Sequence, residues 1–218
     1  MADDGAEDRE RHEFSVEGSE TVYDGAIVAL RVDEVAMPGG TTARREVVEH
    51  HAAVVIAAVD EDDRITLIRQ YRHPLGRRIW ELPAGLMDVT GEAALAGAQR
   101  ELHEEAGLRA ARWSVLVDLA ASPGFTDETL RVYLAEGLTD AGRPEAQDEE
   151  ADLEVRAVAL SEAVAMVFTG EIVNAAAVAG ILAVSAVRAG HGRTRKVDSP
   201  PLVTAEAFAA RAESRGGR

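Results

Sequence analysis

The chain has 218 residues, a formal net charge of −16, 46% hydrophobic residues and no cysteine. That length suits one ordinary domain with an added arm, and the apolar fraction is enough for a real core. Without cysteine there are no disulfides, thiolate nucleophiles or Cys-based zinc sites, and without a basic stripe nothing points to a nucleic-acid surface.

No apolar run reaches bilayer length, and the opening "MADDGAEDRERHEF" lacks a secretory apolar segment, so a cytoplasmic protein that does not enter membranes is expected. Residues 1–13 read as a disordered lead, 14–48 as a β-rich arm, 49–190 as the main domain and 191–218 as a polar tail with a short helix at "AEAFAARAES". The arm alternates apolar and polar residues and turns at Pro38-Gly39-Gly40. "REVVEHHAAVVIAAVD" continues in β style, with a buried run from Ala52 to Val59; "EDDR" turns into the strand "ITLIRQYRH". After the break at "PLGRR", "IWELPAG" is a short strand entering a glycine loop.

A helix is predicted from Glu92 to Ala106, with Leu95, Ala98, Leu102 and Ala106 on its apolar face and Gly107 as its stop. "WSVLVDLAAS" and "ETLRVYLAEGL" are strands around the loop "PGFTD"; "DAGRPEAQDEEAD" is a long polar loop; "LEVRAVAL" is a last strand. The Ala-rich segment after it is one or two helices, with Gly170 as the break. Strands enclosing one helix and followed by a helical block describe an α+β fold, a mixed β-sheet sandwiched between helices (α/β/α).

The segment "RELHEEAG" puts Glu101, Glu104 and Glu105 within five residues. Successive helix residues turn by about 100°, so Glu104 lies about 60° to one side of Glu101 and Glu105 about 40° to the other. The three carboxylates therefore share a face, expected to lie opposite much of the Leu95/Leu102 stripe. Arg100 can pair with Glu104 one turn on. A solvated, salt-bridged face would explain such a run. The small-residue loop "LPAGLMD" just before it favours a metal site instead, because it could set a backbone carbonyl beside the carboxylates, and hard divalent ions take such oxygen-only sets.

Gly85, Glu92 and "RELHEEAGL" together resemble the Nudix box. Glu92, Arg100, Glu101, Leu102, Glu104, Glu105, Gly107 and Leu108 fit its spacing, while six residues rather than five separate Gly85 from Glu92. The segment "LIRQYRHPLGRRIWELPAGLMD" and Pro123, sixteen residues after Gly107, resemble the ADP-ribose pyrophosphatases of that family, its actinobacterial members in particular.

The resemblance implies the Nudix fold and Mg²⁺-dependent hydrolysis of the diphosphate of ADP-ribose to AMP and ribose 5-phosphate, with Mn²⁺ as a substitute ion. It implies Glu101, Glu104, Glu105 and the carbonyl of Ala84 as metal ligands. Gly85, Glu92, Arg100 and Gly107 are implied as the structural frame of the box. Either Glu149 or Glu150 in the long loop would activate water, Glu150 being preferred, and Glu105 would be catalytic as well as a metal ligand. Arg72, Arg44, Arg45, Pro123, Phe125 and Asp127 are implied as substrate contacts. Residues 14–48 would cross to a partner in a homodimer. Trp80 is expected in the core, and His73 and His103 as bystanders. The alternatives are a Nudix hydrolase of another nucleoside diphosphate derivative, such as a nucleotide sugar or NADH, and a non-catalytic nucleotide-binding regulator.

Overall fold

A computed structural model of the chain describes residues 13–144, 152–205 and 207–216, with side chains up to residue 211. Among these residues no helix is long and apolar enough to cross a membrane.

The first three strands, β1 (Val16–Asp24), β2 (Val28–Ala36) and β3 (Thr42–His50), form an antiparallel sheet of their own in that order. The turn after β2 closes at Pro38-Gly39-Gly40, where both glycines have positive φ. β3 ends at His50, and β4 (Ala53–Val59) begins a second sheet.

The second sheet also contains β5 (Arg64–Arg72), β6 (Arg77–Glu81), β7 (Ala84–Leu86), β8 (Leu108–Ala120), β9 (Thr129–Asp140) and β10 (Glu154–Ala159). Its main path runs β10-β5-β4-β9-β8, with β6 on β5 and β7 on β4. Strands β4 and β9 run parallel and the other pairs antiparallel, so the sheet is mixed.

Helix α1 (Ala94–Ala106) covers one face; α2 (Leu160–Thr169) and α3 (Ala175–Arg188) cover the other. The two-residue period of β4 shows why its sequence is an unbroken apolar run. Val55, Ala57 and Val59 pack toward α2 and α3, whereas Val54, Ile56 and Ala58 pack toward α1. Gly170 ends α2 in the left-handed region, which separates the two helices.

The segment after α3 lies along this frame. Arg195 bridges to Val115 through both backbone hydrogen bonds. The Asp118 side chain, 3% exposed, accepts from Arg131, Arg195 and the Leu202 N–H. A last helix, α4 (Ala207–Gly216), buries Phe208 edge-on against His51. From α4, Arg211 donates to Glu49 on β3 and to Thr21 on β1. The stretch read as a polar tail thus ties the N-terminal sheet to the main domain.

Candidate active site

Helix α1 starts at Ala94, two residues later than expected, which leaves Glu92 in the loop before it. Gly107 ends it at φ 70 and takes the His103 and Leu102 carbonyls on its N–H. Arg100 reaches back to Glu92 with two hydrogen bonds, both 3.1 Å, and also donates to Glu101 at 2.6 Å and Glu104 at 2.9 Å. One guanidinium thus closes the loop onto the helix and neutralises part of the acidic face. The carboxylates, Glu92 foremost, raise the pKa of Arg100, and Arg100 in turn holds Glu92 below the usual carboxylate range, mainly through their shared hydrogen bonds.

The expected common face is corrected by burial. Glu105 is only 6% exposed and lies with Ala98 and Leu102 on the inward side, not opposite them. Its angular distance from Leu102 decides this: three residues on is a neighbouring position on a helix. The Ala84 N–H donates to Glu105 Oε2 at 2.9 Å, so β7 is fastened to the end of α1. Burial pushes the Glu105 carboxyl up to about 8; the Ala84 N–H and Arg72 oppose this, and Glu101 and Glu81 add to it.

Gly85 is required by close approach. A Cβ built there would lie 2.0 Å from Glu101 Oε1 and 2.4 Å from its Cγ. The loop and the Glu101 carboxylate are therefore in direct contact.

Arg72, at the end of β5, pairs with buried Glu81 at 2.6 Å and faces Glu105 electrostatically. Glu81 escaped the sequence reading, although its place in "WELPAG", five residues or fewer from the glycine loop, was a usable signal. Arg143 was missed as well. It donates to the Glu104 carbonyl and the Leu153 carbonyl, both at 3.2 Å, and so brackets the base of the long acidic loop beside α1. Glu149 and Glu150 lie outside the described residues.

The other expected contacts sit elsewhere. Pro123 and Phe125 are exposed on the β8–β9 loop. This loop is stitched to β3: Val48 N–H donates to the Phe125 carbonyl, and His50 N–H to Asp127 Oδ1 at 3.1 Å. Asp127 therefore holds the β3–β4 junction. Arg44 and Arg45 are exposed on β3, four and three residues from Val48, where Arg45 donates to the Arg44 carbonyl. Trp80 packs against the core with Arg69 over its ring. A cavity of about 320 Å³ opens between the Met87–Glu92 loop, the His51–Ala53 junction and Pro201–Ala205, with none of Glu101, Glu104 and Glu105 in its lining.

By donor chemistry the cluster fits a divalent ion. It offers three carboxylates beside a backbone loop, one of them buried and pushed toward its neutral form among other acids. In the geometry observed, Glu101 and Glu104 are turned onto Arg100, and among the described residues no three His, Asp or Glu side chains converge on one point. An ion would take these two carboxylates over from Arg100.

A mixed sheet between helices, with a glycine loop locked to an Arg-Glu-x-x-Glu-Glu helix, defines a class: the chain belongs to the Nudix family. The NUDIX domain model matches residues 49–178, and the model described as nucleoside diphosphate sugar hydrolase N-terminal domain matches 15–48.

More particularly, the chain is 53% identical over 204 residues to an ADP-ribose pyrophosphatase of Mycobacterium tuberculosis (strain ATCC 25618 / H37Rv), covering 94% of this chain and 99% of that one. It is 36% identical over 156 residues to an ADP-ribose pyrophosphatase of Bacillus subtilis (strain 168), covering 72% and 84%. A solved ADP compounds hydrolase shares the fold, with a TM-score of 0.73 and 23% identity over 84% of this chain and 97% of the other.

Proposed function

We propose that this Nudix protein hydrolyses the diphosphate bond of ADP-ribose, giving AMP and ribose 5-phosphate. The observation that carries the reading is the intact acidic helix locked to the Ala84-Gly85 loop, in a chain similar over nearly its whole length to an ADP-ribose pyrophosphatase.

The ion is Mg²⁺, with Mn²⁺ as a substitute, held by Glu101, Glu104, Glu105 and the Ala84 carbonyl. When bound it supplies charge neutralisation at the diphosphate and a more acidic water. Arg100 and Glu92 keep loop and helix in register, and Gly85 leaves room for Glu101. Arg72 contributes a cation to the diphosphate from the floor of the site. Glu149 or Glu150 takes the proton of the attacking water, and the anchoring of the loop base by Arg143 supports this role. Phe125 and Asp127 contact the terminal ribose from the β8–β9 loop, and Pro123 in the same loop contacts the substrate.

The protein acts as a homodimer, in which Arg44 and Arg45 reach the partner's nucleotide. The exposed apolar side chains of Val16, Val22 and Tyr23 on β1, with Phe14 and Ile27 just outside its ends, support this. A cytoplasmic location fits a chain without cysteine.

The match of residues 15–48 to a nucleoside diphosphate sugar hydrolase model covers ADP-ribose, itself such a compound, and admits one second reading, another nucleotide sugar as the main substrate. Purified protein assayed with Mg²⁺ against ADP-ribose, GDP-mannose, NADH and diadenosine polyphosphates decides between them. ADP-ribose should give the highest kcat/KM; a tenfold higher value for another compound overturns the first reading.

A further inference from the structure

Glu81 is 2% exposed, yet it is a carboxylate at the edge of an aqueous site. Its two oxygens are saturated. Oε1 accepts from Arg72 Nε at 2.9 Å and Asn174 Nδ2 at 3.2 Å; Oε2 accepts from Arg72 Nη2 at 2.6 Å and Gln70 Nε2 at 3.0 Å. Four donors fill the four lone-pair positions that a carboxylate offers, so Glu81 is not available as a proton acceptor for water. Nor is this a core ion pair made for stability, because the Arg72 side chain stays 42% exposed.

The register explains how the donors meet. Gln70 and Arg72 are two residues apart on one face of β5, and Glu81 pairs across from Ile68 on the same face. Asn174 comes from the opposite side: it caps α3 by accepting from the Ala177 N–H at 2.9 Å while donating to Glu81.

We propose that Glu81 is a positioning residue which, clamped by Gln70 and the α3 cap Asn174, grips the Arg72 guanidinium at two points and presents it as a fixed receptor for the diphosphate of the substrate. This rests on the reading of Arg72 as a diphosphate contact. An arginine held at two points has lost its rotamer freedom before substrate arrives, so binding does not have to order it. A lysine could not be gripped in this way, since the fork geometry belongs to guanidinium.

Three variants test the proposal by steady-state kinetics with ADP-ribose and Mg²⁺, folding being checked by thermal melts. Arg72→Ala should raise KM by about tenfold or more, the loss of a charge-assisted hydrogen bond. Glu81→Gln should raise KM by about tenfold with kcat little changed, for the same reason. The double variant should have the KM of Arg72→Ala alone, because Glu81 acts through Arg72.

An unchanged KM in Arg72→Ala overturns the reading of Arg72 itself. A raised KM there with a wild-type KM in Glu81→Gln overturns the role of Glu81 alone. A Glu81→Gln effect confined to kcat, or one that multiplies with Arg72→Ala, assigns Glu81 to its neighbour Glu105 or to general stability, and the proposal fails. If Glu81→Gln does not fold, Arg72→Lys takes its place: it keeps the charge and loses the two-point grip. A raised KM supports the proposal, and a wild-type KM overturns it.

Discussion

Glu105 faces two demands at once. Its carboxylate is buried among acids, where burial disfavours its charge, and it fastens β7 through the Ala84 N–H. Glutamine keeps an oxygen for that N–H and gives up the charge. Glu105→Gln should therefore fold with a melting temperature near wild type while losing turnover by at least ~100-fold, the upper end of what changes in the surroundings of a metal ligand cost. Wild-type activity should vanish in excess EDTA; activity surviving there would remove the metal from the mechanism. Gly85 gives a complementary prediction. Alanine at this position meets Glu101 from Cγ to Oε1, so the side chain must swing away from the loop. Gly85→Ala should cut kcat by at least ~10-fold, the low end for disturbing a ligand's support, with the fold kept. Full activity in this variant would mean that Glu101 does not work from the position it holds here.

At the scale of elements, one acid, Asp118, anchors the segment after α3 at two points, Arg195 and the Leu202 N–H. Burial alone would raise the pKa of Asp118, but hydrogen bonds from Arg131, Arg195 and the Leu202 N–H outweigh it and bring it down to about 2. A carboxylate whose folded pKa lies below its unfolded value contributes stability above the unfolded value, about 3.9 for Asp, and loses it as pH falls through the folded value. Thermal melts of the wild type should thus show this contribution disappearing between roughly pH 4 and pH 2. Asp118→Asn should be less stable at neutral pH by roughly 3 kcal/mol, as expected when one partner of a buried pair is removed. Its melting temperature should also change less steeply with pH across that acid window. Equal acid slopes in the two proteins would show that other groups carry the acid sensitivity.

At the scale of the whole molecule, the N-terminal sheet has an open edge at β1 among the described residues, and several of its large apolar side chains face solvent. A twofold pair is the common way to cover such a surface. An Arg45→Ala chain mixed with a Glu105→Gln chain then gives a sharp outcome. If the arm crosses to the partner, mixed dimers contain one site with both residues intact, and activity partly returns. No return in a mixture shown to exchange subunits, or a monomer by light scattering, would rule out a shared site.

The sequence by itself determined the elements and the identity of the acidic helix, because both depend on local spacing. The period of two in the strands, the glycine stop at Gly107, the break at Gly170 and the Arg100–Glu104 pair one turn apart involve only near neighbours. Tertiary structure decided what depends on distant partners. Helix spacing sets Glu105 between the carboxylate face and the Ala98/Leu102 stripe, and the packing of α1 on β4 and β7 decided that it is buried. The place of Glu81 beside the glycine loop hinted at a role but not at its partners, since its donors come from β5 and from a residue 93 positions away. Nor did composition foresee that a polar terminal stretch would carry Phe208 and Arg211 back to the first sheet. A buried charge becomes tolerable through its partners, and when the chain brings those partners from afar the fold alone fixes where they meet.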